Sequence, residues 1–98
     1  MTTELLTIDV FRDKIGQPFV LEEADTPPIE VTLIDATELR NYADAPRTPF
    51  SLLFTTKGDF VLPQRMYPLK HAALGLQTIF LVPVDRSGEI TTYQAVFN

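Results

Sequence analysis

Residues Ile79 to Val84 read Ile-Phe-Leu-Val-Pro-Val. In an extended strand, one face of this run carries Ile79 and Leu81, and the other carries Phe80, Val82 and Val84. A strand that is apolar on both faces has to be covered on both. One cover is the core of the domain. The second is either the chain's one expected helix or the surface of a partner, since a sizeable exposed apolar patch on a small domain marks an interaction. The run is far too short for a bilayer, which needs about 20 apolar residues.

The flanking sequence places this run in a β-rich domain. Upstream of it, Tyr67, Leu69 and His71 share one strand face, and Met66, Pro68 and Lys70 share the other. Pro68 has no N–H to give a ladder, so one side of its strand is expected to be an edge or a bulge. The stretch from His71 to Leu76 reads as a hairpin loop with Gly75 in the left-handed conformation. Asp85-Arg86-Ser87-Gly88 repeats the device with Gly88. Phe50, Leu52 and Phe54 alternate, as do Ile29, Val31 and Leu33, whose strand extends toward Leu39. Phe19 to Glu22 is a short strand, and Tyr93, Ala95 and Phe97 form the inward set of the last one. Lys57-Gly58-Asp59 is a turn, and Phe60 to Pro63 is an apolar connector in which Pro63 holds Leu62 extended. Glu23 to Pro28 and Arg40 to Pro49 read as loops, with Tyr42 tucked back onto the core.

One helix is expected, over residues 7–16. Thr7 is its N-cap, Asp9 lies in the first turn, Ile8, Phe11 and Ile15 share a face, and Gly16 ends it before Pro18. The expected fold is mainly β. About six antiparallel strands over residues 19–97 form a strongly curved sheet or small barrel, with one short N-terminal α-helix. The hairpins suggest a meander, with the helix plugging one end or covering one face.

A chain of 98 residues makes a single domain, 1–98. Its formal net charge of −5 makes phosphate backbones and anionic membranes poor partners, so neither nucleic acid nor membrane binding is expected. It has no cysteine, which removes disulfides and thiol chemistry. Met1 to Leu6 lacks the basic and apolar regions of a signal peptide, and a cytoplasmic location is the default expectation.

Candidate chemistry is sparse. His71 is the one histidine, and it has no companions at metal-ligand spacing. It reads as a general base or, more simply, as a strand-end side chain that shapes the turn before Gly75. Glu22, Glu23 and Asp25 cluster without the spacing of a calcium loop and beside the stiff Pro27-Pro28, so they read as a solvated loop. Asp35 and Glu38 stand three apart near a strand end. Ser51 and Ser87 lack a nucleophile elbow, and Lys57-Gly58-Asp59 is too short for a phosphate cradle. No metal and no cofactor is expected. Tyr67, His71 and Tyr93 are the candidate lining of a ligand pocket, although the tyrosines also fit the core faces of their strands. Arg65, Met66, Phe80 and Val82 are the candidate interface, Arg and Met being enriched at such surfaces.

The strings Pro49-Phe50-Ser51-Leu52-Leu53-Phe54, Leu62-Pro63-Gln64, Tyr67-Pro68-Leu69-Lys70-His71, Leu74-Gly75, Ile79 to Val84 and Tyr93 to Asn98 together resemble a family of small bacterial proteins of about this length. That family is known only as a domain of unknown function. Phe11, Ile15-Gly16 and Phe19 extend the resemblance to nearly the whole chain. The resemblance carries no catalytic residue or cofactor. It implies proximity to phage-tail-collar-like genes, which points to assembly rather than catalysis.

Three functions follow as expectations. The first is a non-enzymatic protein-interaction or assembly module, linked to a phage-tail-like structure, with a protein partner or self-association. The second is a small-ligand-binding β-barrel. The third is a hydrolase or isomerase using His71, which requires a carboxylate within reach of the ring.

Overall fold

The computed structural model describes residues 7–23, 27–40 and 48–97. Tyr42 and Asp25 lie outside the described residues. The elements are α1 (Ile8–Arg12), β1 (Pro18–Leu21), β2 (Ile29–Glu38), β3 (Phe50–Lys57), β4 (Arg65–His71), β5 (Gly75–Ser87) and β6 (Ile90–Phe97). The six strands close into an antiparallel barrel in the order β1-β2-β3-β6-β5-β4. Among the described residues, no helix is long and apolar enough to cross a membrane.

The order is not one meander but two. β1 to β3 and β4 to β6 are each hairpin-connected, and residues 58–64 carry the chain across one barrel end, so that β3 pairs with β6 and β4 with β1. The β1–β4 seam is short, with only Val20↔Lys70 and Leu21↔Leu69 in register. Pro68 explains this. It pairs with Thr78 of β5, and on the other side its carbonyl accepts from Glu22 N–H at 3.1 Å. Its ring nitrogen faces the same side and has no hydrogen to offer, so the seam stops there.

Alternation fills the interior as the sequence predicts. Phe19, Leu21, Val31, Leu33, Phe50, Leu52, Phe54, Tyr67, Leu69, Ile79, Leu81, Tyr93 and Ala95 are buried. Two bulges reset the alternation. Ile34 is skipped between Leu33↔Phe54 and Asp35↔Leu53, and Val84 between Pro83↔Tyr93 and Asp85↔Thr92. After each, the other parity points inward.

The helix is shorter than expected. It spans Ile8–Arg12 and then yields to a turn, with Lys14 N–H donating to the Phe11 carbonyl at 2.9 Å. The reason is a competing ladder. Gly16 N–H donates to the Leu33 carbonyl at 2.7 Å, and Leu33 N–H to the Gln17 carbonyl at 3.2 Å, so the chain joins β2 immediately. Gly16 makes this turn at φ +89°, a region that favours glycine. Ile15 therefore falls outside the helix and is exposed, not on its apolar face. Thr7 occupies the N-cap position, but its side chain makes no capping bond.

The helix plugs one end of the barrel. Phe11 is fully buried against Phe50 and Phe97, at ring separations of 5.8 and 5.6 Å, and Phe50 stacks on Phe97 at 4.7 Å. Arg12 ties the plug to the end of β2 through Glu38 at 3.1 Å.

The crossover closes the opposite end. Tyr93 Oη accepts from Leu62 N–H at 2.9 Å, and the Tyr67 hydroxyl donates to the Pro63 carbonyl. The Val84 bulge turns Arg86 toward the interior side, where it donates to the carbonyls of Phe60 (2.9 Å) and Gly58 (3.0 Å) and to Thr91 Oγ1 (2.6 Å).

Candidate functional site

The barrel separates residues that the sequence had grouped. Tyr67, His71 and Tyr93 all point inward and are buried. Their polar atoms are engaged. Both tyrosine hydroxyls hold the crossover at one end, while His71 lies at the other end of β4, beside the β4–β5 turn.

His71 is fixed from three directions. Its Nδ1 accepts from the N–H groups of Ala73 (3.0 Å) and Leu74 (3.3 Å), and its Nε2 meets Gln17 Oε1 at 2.7 Å. The two backbone donors require a bare Nδ1. The ring hydrogen then sits on Nε2 and is given to the amide oxygen. Phe19 packs on the ring at 4.7 Å. Among the described residues, the groups that hydrogen-bond the ring are this amide and these two N–H groups, with no carboxylate among them. The ring shapes the turn that ends at Gly75, whose φ is +70°.

Arg65 also parts from the other candidate interface residues. It shares the inward parity of Tyr67 and stands at the rim, its guanidinium 4.6 Å over the Tyr67 ring centre. Glu23 receives it through both carboxylate oxygens, at 2.6 and 2.7 Å. The Glu23 hydrogen bonds, and after them Tyr67, hold the guanidinium above its ordinary pKa. Its charge is thus matched within the chain.

Met66, Phe80 and Val82 remain together on the outer face of β4 and β5. Met66 and Phe80 are cross-strand partners, 50% and 41% exposed. Leu76 lies further along the outward row of β5 and is 59% exposed. Val82 is half-buried opposite Gln94 of β6. The helix is not the cover for this face, because α1 sits at the barrel end against β2, Phe50 and Phe97.

The charge pattern singles out the same face. From Phe60 to Val84 the sequence holds no Asp or Glu, in a chain that carries 13. On the outer face of β4 the one charge is Lys70, and β1 brings Glu22 alongside Pro68. Neither Lys70 nor Glu22 has an ion-pair partner among the described residues. The sequence run from Ile79 to Val84 pointed here. The absence of acidic residues from Phe60 to Val84 is a further sequence signal that the strand pattern alone had not used.

A separate cleft of about 470 Å³ lies outside the barrel, on the shoulder of β2 and β3. Thr32, Thr55, Lys57, Phe60 and Ile90 contribute to its walls, and none of Tyr67, His71 and Tyr93 does. The remaining polar candidates are dispersed. Ser51 is buried on β3, Ser87 closes β5 at the hairpin, and Asp35 accepts from Thr37 at 2.7 Å.

The class is that of a small, closed, six-stranded antiparallel barrel, plugged by a helix and carrying an apolar outer face on β4 and β5 that is exposed among the described residues. Within that class, a family model for a domain of unknown function, DUF6916, matches residues 6–97, and the chain belongs to this family. No curated protein and no solved structure matches it.

Proposed function

We propose that this protein is a non-enzymatic protein-interaction or assembly module, and that it docks through the outer face of β4 and β5. The observation that carries the reading is the cross-strand pair Met66–Phe80, exposed on a face with no acidic residue of its own strands up to Val84. Burying such side chains against a partner contributes about 25 cal/mol per Å² of apolar surface, whereas water offers them nothing. Membership of a phage-tail-like structure belongs to this reading as its assembly form. The engagement of both His71 nitrogens inside the fold favours it over a hydrolase or isomerase based on that ring.

The test is affinity capture from host lysate with wild type and Phe80→Glu, both first shown to be folded by circular dichroism. A stoichiometric partner, or self-association, that is lost in the folded variant is the expected result. If neither protein retains anything and a metabolite raises the melting temperature instead, the ligand-binding reading replaces this one. The shoulder cleft of β2 and β3 is then the place to map it.

A further inference from the structure

We infer that the partner on the β4–β5 face is a second copy of this chain, related by a two-fold axis; this rests on the docking role proposed above. Two observations carry it. The first is where the acids lie. Copies with a net charge of −5 repel one another wherever their acidic residues meet. β5 stands across the ring from β2, with β1 and β3 flanking β2 and β4 and β6 flanking β5. Glu30 and Asp35 belong to β2. Contact through β4 and the part of β5 ahead of Asp85 therefore joins stretches that hold no acid of their own, and turns Glu30 and Asp35 of the two copies away from each other.

The second observation is the sign pattern at the patch margin. Lys70 and Glu22 flank the apolar residues on the β1 side, one cation and one anion, both exposed and unpaired among the described residues. A face built for an acidic or a basic target would carry one sign. A face carrying one of each is complementary to itself. In an isologous contact, residue i meets residue j and residue j meets residue i. A two-fold axis in the plane of contact, running obliquely across the strands past Thr78, sets Lys70 of one copy against Glu22 of the other, twice, around a centre of Met66, Leu76, Thr78 and Phe80. The rim pairs fix register, and the apolar centre supplies the affinity.

The test is sedimentation equilibrium of the full chain from micromolar to millimolar concentration. The expected result is a monomer–dimer equilibrium that does not grow beyond the dimer. Thr78→Arg, an exposed substitution that sets two cations together at the centre, is expected to leave a folded monomer, as is Phe80→Glu. Lys70→Glu is expected to weaken the dimer about tenfold, and adding Glu22→Lys to restore it. A monomer throughout overturns the inference, as does a dimer indifferent to Thr78→Arg. A mass that keeps rising with concentration overturns the two-fold contact in favour of a head-to-tail one. A monomer that still captures another protein through Phe80 overturns the self-association alone and leaves the docking role standing.

Discussion

Arg86 donates to the Phe60 carbonyl at 2.9 Å, across the end of the barrel. The contact exists because Val84 is skipped in the pairing of β5 with β6. Without that bulge, the alternation that puts Ile79 and Leu81 inside would turn Arg86 outward. One extra residue thus converts a strand-end arginine into the fastening of a crossover that joins the two halves of the molecule.

Arg86→Ala is expected to cost about 1–2 kcal/mol in urea unfolding, the scale of hydrogen bonds to a charged group at a partly exposed site. Amide exchange should accelerate in residues 58–64. Arg86→Lys cannot reach both carbonyls and Thr91 with one ammonium, and is expected to recover only part of the loss.

Tyr93→Phe deprives Leu62 N–H of its acceptor, and Tyr67→Phe deprives the Pro63 carbonyl of its donor. Each is expected to destabilise by about 1–2 kcal/mol. Because both hold adjacent residues of the same crossover, the double variant should lose less than the sum, a coupling read from a double-mutant cycle.

His71→Leu keeps the apolar contact with Phe19 but removes the acceptor of two backbone N–H groups of the turn and the tie to the exposed Gln17. A loss of about 2–3 kcal/mol is expected in chemical denaturation. In the wild type, nitrogen NMR should report the neutral ring as the Nε2–H tautomer. The Nδ1–H tautomer would contradict the assignment.

Asp13 is held below the ordinary carboxylate value of 3.8, first by its hydrogen bond from Lys14. A depressed folded value means that the contribution to stability is present above the unfolded value and is lost as pH falls through the folded one. Carbon NMR titration should place the Asp13 midpoint below 3.8, and Lys14→Ala should raise it. A midpoint at or above 3.8 would sink the attribution.

Local structure was legible because it depends on neighbours in the chain. Alternation at Ile29, Val31 and Leu33 and at Phe50, Leu52 and Phe54 named the inward residues. Gly75 and Gly88 marked both hairpin turns, and both take positive φ. The bulges were hidden for a definite reason. From Ile79 to Val84 every residue is apolar, so a one-residue slip leaves the pattern unchanged until Asp85. Strand order was hidden as well, because pairing β3 with β6 leaves no mark on either sequence. The site divided in the same way. Met66, Phe80 and Val82 kept their shared face, whereas Arg65 followed the opposite parity and reached Glu23, a partner far away in sequence.

The two-pair seam between β1 and β4 has a consequence for how the molecule comes into being. Each meander forms from neighbouring segments, so both can condense early and independently. The ring cannot shut until Leu21 finds Leu69 in the other half, and it then has few bonds with which to hold. Closure is thus expected to be the last, entropy-limited event of folding, with amide protection in β1 arising after that within the two meanders.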